Sequence, residues 1–398
     1  MIRLFVNGMA ASAGGGLTYL RNVVPHLSRR GDVETTLAVS EALSDEFSGL
    51  PRISTVHLAS GGGPLNRFWQ EQWHLPKMLQ ESGADALIST GNFALRKSPV
   101  PQILLSRNSL YTSRDFYRDL RSRGEYRLWL DTKARGLLAK RSVHWADCTV
   151  TPSKAFAEEL RRWTGKDIVP IYHGFDRELF FADTQPLPRE TQQKLDRSDD
   201  ALRLLFVSHY NYYRNFEILL RALPELKRIL APRQLRLLLT CDLSHAHGYR
   251  PDTARKLLSE LRIEAEVIQL GAIPYRLLHH LYCACDLYVT PAYTETFAHP
   301  LVEAMASGLP IVASDIPVHR EICESAALYF PRFSPGDLAQ QIAKLVSNAA
   351  QRNDLGERGR NRVSEFSWGR HVEQMIDLVY GMAAGPRSVN IDHLEAST

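Results

Sequence analysis

Short runs of β-branched and leucine-rich residues alternate with stretches of helical period along the whole chain, the pattern of a parallel sheet flanked by helices. In the first half these runs are "IRLFVN", "TTLAVS", "STVHLA", "DALIST", "QILLS" and "DCTVT". In the second half they are "LRLLFVS", "RLLLTC", "EVIQLG", "CDLYVT", "PIVAS" and "ALYF". Each series opens with a strand, a polar or glycine-containing loop and a helix, which predicts an α/β protein of two Rossmann-like domains. Residues 180–200, "FFADTQPLPRETQQKLDRSDD", are polar, proline-containing and aperiodic, and read as a linker. Trp368, Val372, Met375, Ile376 and Val379 fall on one face of a terminal helix, and that apolar stripe must be buried. The tail beyond Pro386 is polar and reads as frayed.

Length and composition agree with this picture. The 398 residues, 44% hydrophobic and 23% charged, can fill two proper cores and describe an ordinary soluble globular protein. A formal net charge of +4 is too mild to point to nucleic acid. Five scattered cysteines argue against a disulfide framework, and Cys283 and Cys285 stand too close together for a zinc ribbon. His245 and His247 in "SHAHG" lack further ligands nearby in sequence, so no metal site is expected. The first residues hold too short an apolar run for a signal peptide, and no stretch of eighteen apolar residues occurs. The expected location is cytoplasmic, with contact at the inner face of a membrane left open.

Candidate chemistry sits at the predicted strand ends. After "IRLFVN" come Gly14, Gly15 and Gly16 and then a helix, so backbone amides can approach a phosphate or sugar closely. The loop matches neither G-x-G-x-x-G nor the P-loop, and a plain flexible turn is the alternative. After "LRLLFVS" lie His209, Arg214 and Asn215, where Asn215 can cap the next helix and Arg214 can meet an anion or stay solvated. Residues 114–141 carry nine Lys or Arg against four Asp or Glu, interleaved with Phe116, Tyr117, Tyr126 and Trp129. This is either a solvated helix face or a basic aromatic surface for anionic lipid or a lipid-linked acceptor.

The most informative stretch is "TPAYTETFAHPLVEAMASGLPIVASD", residues 290–315. Pro300 is expected at the first helical position and Gly308 as the stop, with amides at 300–302 facing an anion. Glu303 stands among Leu301, Val302, Ala304 and Met305, where a carboxylate needs donors such as a ribose diol. Glu295 on the preceding loop can accept from sugar hydroxyls. Taken alone, the two glutamates are equally surface acids or the acid and nucleophile of a glycosidase. Phosphate-friendly helix starts in both halves weigh against a hydrolase of neutral glycans.

Glu295 and Glu303, eight positions apart, resemble the Glu-x7-Glu motif of glycosyltransferase family 4, retaining enzymes of the GT-B fold. "EAMASGLPIVASDIPVHREI", "PIYHGFD", "LGAIPYRLLHHLYCACDLYVTPA" and "FSWGRHVEQMI" continue the likeness. It implies an acceptor-side domain over 1–178, a donor domain over 179–366 and a cleft between them. It also implies a helix at about 367–385 crossing back to the first domain, and a tail over 386–398.

By resemblance, Glu303 holds the ribose of a nucleotide-sugar and Glu295 the transferred sugar. The amides of Phe297, Ala298, His299, Leu301 and Val302 line the sugar and diphosphate. Gly15 and Gly16 approach from the other domain, and Ile273 lies by the base. Arg214 replaces the family's phosphate-gripping lysine in charge, with Asn215 beside it.

The chain departs from the family at Ser208 and His209, where Gly-Arg is common, and at Arg107 and Asn108, where a histidine is usual. Arg107 is left to supply phosphate charge. The implied activity is retaining transfer of a hexose from a nucleotide diphosphate-sugar to a glycan or lipid-linked acceptor, with Glu295, Arg214 and Arg107 at the reacting centre. No Asp-x-Asp occurs in the chain, so metal-independent transfer is expected. A nucleotide-sugar epimerase and a non-catalytic nucleotide-sugar binding subunit are the alternatives.

Overall fold

In the computed structural model, which describes residues 1–11, 15–57, 64–196, 198, 200–244 and 248–383, every strand expected from the sequence forms. Gly14, His245, His247 and the tail beyond Pro386 lie outside the described residues. The first seven strands are β1 (Ile2–Asn7), β2 (Val33–Val39), β3 (Ile53–His57), β4 (Ala86–Ser89), β5 (Gln102–Leu105), β6 (Cys148–Thr151) and β7 (Val169–Pro170). They form one parallel sheet in the order β3-β2-β1-β4-β5-β6-β7. The second sheet is also parallel. Its strands are β8 (Leu202–Phe206), β9 (Leu235–Leu239), β10 (Val267–Gln269), β11 (Leu287–Thr290), β12 (Ile311–Ser314) and β13 (Ala327–Phe330), in the order β10-β9-β8-β11-β12-β13. Each order reverses once, between β1 and β4 and between β8 and β11. Such a reversal leaves a crevice at the carboxyl ends of the two strands.

Chain contacts group residues 1–112, 130–174 and 367 onward into one unit, and residues 113–129 and 175–366 into another. Helix α1 (Gly15–Ser28) packs on one face of the first sheet through Tyr19, Leu20, Val23, Val24 and Leu27. Two further helices, α2 (Arg114–Ser122) and α3 (Tyr126–Trp145), follow β5 in sequence. The closing helix, α6 (Trp368–Ala383), buries its apolar stripe in the same cluster as α1, as 3.6-residue periodicity requires. Gly174, in "PIYHGFD", passes so close to the backbone of Ser367 and Trp368 that a Cβ there would collide with it. Helices α4 (Phe216–Leu230) and α5 (His299–Ala306) follow β8 and β11.

Two segments differ from the sequence expectation. Residues 180–200 are not a bare linker. Helices Arg177–Phe181 and Arg189–Asp196 occupy much of this region, the first capped by the Asp176 carboxylate and the second anchored by buried Thr191 and Leu195. The change of unit falls before them, between Gly174 and Phe175. The excursion 113–129 belongs to the second unit, although residues on both sides of it belong to the first. Phe116, Tyr117 and Leu120 of α2 are buried there, so this half of the basic aromatic segment is not a solvated face.

Candidate functional site

In the second unit the crevice between β8 and β11 is walled by the loops that leave those strands. After β8, residues Tyr212–Arg214 make a 3₁₀ turn whose cap is Asn211, accepting from the Arg214 N–H. Asn215 follows with φ +57°, a left-handed conformation that asparagine tolerates better than most residues. Its side chain does not cap α4, contrary to expectation. The Asn215 amide instead donates to the Pro291 carbonyl at 3.1 Å and the Arg332 carbonyl at 2.8 Å. The Tyr293 N–H donates to the Tyr213 carbonyl at 3.0 Å, a second tie between the two loops.

These ties bring together two residues singled out from sequence. Arg214 forms an ion pair with Glu295, and both side chains are largely buried. The guanidinium carbon lies 5.1 Å from the Tyr213 ring centroid, and Nε has no hydrogen-bond partner among the described residues. A buried cation with an unused donor can take up an anion, and the adjacent carboxylate can accept from hydroxyls. His209 is exposed on the same loop, and Ile273 is half-buried ahead of Pro274.

Helix α5 starts at His299, so Pro300 occupies its second position rather than its first. Ala298 caps it at φ +66° and ψ +62°, a conformation costly for an L-residue and common where a backbone is held for function. The expectation of amide donors throughout 297–302 needs correction. Proline has no N–H at 300, and the Leu301 N–H closes onto the Ala298 carbonyl at 2.9 Å. Phe297 and Val302 are buried, and the helix stops at Gly308 with φ +69°.

Glu303 is 4% exposed. The Tyr282 hydroxyl donates to its Oε2 at 2.7 Å, and no other donor of the described residues meets its side chain. Burial pushes its pKa up to about 7, with the Tyr282 hydrogen bond pulling the other way. Tyr282 thus holds one end of the carboxylate, and Oε1 meets no donor among the described residues.

Sequence reasoning missed Tyr282, whose one signal is a hydroxyl on the short helix Leu278–Ala284. It also missed His319. This imidazole is fully buried, with Nδ1 at 3.0 Å from the Ser314 carbonyl oxygen and 3.1 Å from Ser314 Oγ. Burial holds its pKa down to about 4, so it is neutral, and Nε2 has no partner among the described residues.

In the first unit Gly15 and Gly16 begin α1 beyond the end of β1. A Cβ on Gly16 would stand 3.2 Å from the Ala11 Cα, so a small residue is needed there. Arg107 Nη1 donates to the Gly15 carbonyl at 2.9 Å and Nη2 to the Thr90 carbonyl at 2.8 Å. Its guanidinium carbon lies 4.8 Å from the Tyr19 ring centroid, and burial lowers its pKa to about 10. Both terminal nitrogens therefore hold backbone at the start of α1 and just after β4, leaving Arg107 less free to meet a phosphate than the sequence implied. Asn108 accepts from the Leu110 N–H and caps a short turn. Tyr19 also meets His371 of α6, hydroxyl to Nε2, at 3.0 Å.

All five cysteines are free. Among the described residues, no three His, Cys, Asp or Glu side chains are grouped to hold a metal ion, and no helix is long and apolar enough to cross a membrane.

Residues 189–362 match the family model described as glycosyl transferases group 1, and residues 13–179 match that of glycosyltransferase family 4. A D-inositol 3-phosphate glycosyltransferase of Corynebacterium aurimucosum is 26% identical over 62% of this chain and 60% of its own length. The O-antigen chain mannosyltransferase B of Escherichia coli is 27% identical over 37% of this chain and 39% of its own length. The chain thus spans about 40 to 60% of these two curated relatives.

Among solved structures, sucrose-phosphate synthase of Thermosynechococcus elongatus has a TM-score of 0.75 at 20% identity, covering 96% of this chain and 100% of its own. HepE of Anabaena, solved with UDP-glucose, has a TM-score of 0.70 at 16% identity over 96% and 100%. At such identities the likeness concerns the fold, which is GT-B.

Proposed function

We propose that this chain, which belongs to the family 4 glycosyltransferases of group 1, moves a hexose-type sugar from a nucleotide diphosphate-sugar to a glycan or lipid-linked acceptor with retention of configuration. The observation that carries the proposal is the pairing of two aimed carboxylates, Glu295 beside Arg214 and Glu303 beside Tyr282, on loop and helix at one strand-order reversal. Glu303 Oε1 accepts from the ribose diol and Glu295 from the sugar. Arg214 exchanges part of its contact with Glu295 for the diphosphate and offsets the charge that develops as the sugar departs.

No covalent nucleophile enters the proposed mechanism. The bond from the anomeric carbon to the diphosphate oxygen breaks, the acceptor oxygen attacks from the same face, and the departing diphosphate takes the acceptor proton. The protein contributes position and electrostatic stabilisation, without a divalent metal. Gly15 and Gly16 of the first unit approach the donor in this reading, with Arg107 shaping the glycine loop.

We place the reaction in the cytoplasm, against a membrane when the acceptor is lipid-linked. Leu130 and Leu137 on α3 are 62% and 60% exposed beside Lys133 and Arg141, while Trp69 and Trp73 of the first unit are 58% and 76% exposed. Exposed apolar and basic side chains of this kind favour an anionic lipid surface.

The test follows sugar release from labelled donors with and without acceptor. Acceptor-dependent release supports transfer. Conversion of the donor without acceptor marks an epimerase, and binding without turnover marks a carrier subunit.

A further inference from the structure

We propose that helix α2 and the residues just after it act as a brace that positions both donor-binding loops of the second unit, with Arg123 and Asp119 as its positioning residues. Arg123 Nε donates to Asp119 Oδ1 at 2.7 Å, and Nη1 donates to Glu217 Oε1 at 3.0 Å. Glu217 is the second residue of α4, three residues after Arg214, and its Oε1 also accepts from the Tyr210 hydroxyl at 2.9 Å. The Arg123 guanidinium carbon stands 4.3 Å from the Tyr212 ring centroid, and the Tyr212 hydroxyl donates to Glu125 at 2.9 Å. The whole β8–α4 loop, which carries Arg214, is therefore gripped from this segment.

The same segment reaches the other loop. Asp119 Oδ2 accepts from the Tyr293 hydroxyl at 2.9 Å, two residues before Glu295. Asp115 Oδ2 accepts from Arg332 Nε at 2.9 Å, and the Arg332 carbonyl is one of the two that hold the Asn215 side chain. Asp119, Arg123 and Glu217 are largely buried, so their charges are held in place by one another rather than by water. One carboxylate, Asp119, thus links a tyrosine on the Glu295 loop to an arginine that holds the Arg214 loop. That is the geometry needed to fix the spacing of two groups meeting one diphosphate-sugar. The inference rests on the proposed donor site.

Positioning has a signature that mere stability lacks, because a displacement of about 1 Å in a reacting group costs up to about a hundredfold in rate. Arg123→Met removes both ion pairs, and because Arg123 lines an existing cleft of about 420 Å³, its truncation leaves no sealed cavity. Tyr293→Phe removes one hydroxyl and keeps the ring against Phe333, 5.7 Å away between centroids.

Two measurements are made on each full-length variant: hydrogen–deuterium exchange without substrate, and kcat per folded molecule at saturating donor. Faster exchange is expected across 209–217 and 290–298 in Arg123→Met, and across 290–298 in Tyr293→Phe. A fall in kcat of about tenfold or more is expected for Arg123→Met, with partial recovery in Arg123→Lys. Unchanged exchange in both segments in both variants overturns the brace. Faster exchange with kcat within about twofold of the parent also overturns it, since the contacts would then be structural only. If the parent itself moves no sugar, the functional reading fails separately, and the exchange result alone decides whether the brace exists.

Discussion

Glu303 should lower the stability of the protein that carries it, and by an amount that depends on pH. The structure raises its pKa from 4.5 to about 7, burial being the larger cause and the Tyr282 hydrogen bond the smaller, opposing one. Below pH 4.5 the carboxyl is protonated folded or unfolded and has no effect. Between these values the unfolded chain has released the proton and the folded chain has not, so stability falls as pH rises. Above pH 7 the full penalty is present. A shift of about 2.5 units at 1.36 kcal/mol each gives roughly 3 kcal/mol as an upper bound. Glu303→Gln keeps an acceptor for Tyr282 and removes the charge. The difference in unfolding free energy between Glu303→Gln and parent, from urea titrations followed by circular dichroism, should therefore grow from near zero at pH 4.5 to about 2–3 kcal/mol at pH 8. Curves that stay parallel across this range would refute the reasoning, because they would mean Glu303 is solvated or paired with a cation.

Other outcomes follow from the same geometry. Arg214→Ala should slow transfer by about a hundred- to a thousandfold, roughly 2.7–4 kcal/mol, while the parent keeps its activity in excess EDTA; strict dependence on magnesium or manganese with Arg214→Ala nearly as active as the parent contradicts both. Ala298 sits at φ +66°, so Ala298→Gly should be tolerated whereas Ala298→Val should lose about 1–3 kcal/mol in urea unfolding. Vesicles of anionic lipid should bind the protein weakly and release it in salt, with Trp73→Ala binding less; flotation indifferent to lipid charge and salt rules out the membrane contact.

The strands and the closing helix were legible because their signals are local. A run of buried β-branched residues or a 3.6-residue stripe is set by neighbours in sequence, and Trp368, Val372, Met375, Ile376 and Val379 are all buried where that stripe requires. What stayed hidden depends on partners far away in the chain. Arg123 meets Glu217 across 94 positions and Asp115 meets Arg332 across 217, so a segment rich in charge read as a surface although several of its charges face inward. Tyr282 and His319 were missed for the same reason, since nothing next to either in sequence shows that its hydroxyl will meet a carboxylate or its imidazole will be buried. The Asn215 cap failed through competition, two distant carbonyls winning over the adjacent helix start.

The account stands on nucleotide recognition by the second unit, and a thermal-shift screen of nucleoside diphosphates and their sugars, run in parallel on the parent and Glu303→Gln, tests it most directly. At a hundred times its dissociation constant a true ligand adds roughly 2.7 kcal/mol to stability. The account predicts that at least one nucleoside diphosphate stabilises the parent, and that Glu303→Gln needs about ten- to a hundredfold more of it for the same shift. No stabilisation by any nucleoside diphosphate, or equal stabilisation of parent and variant, would contradict it.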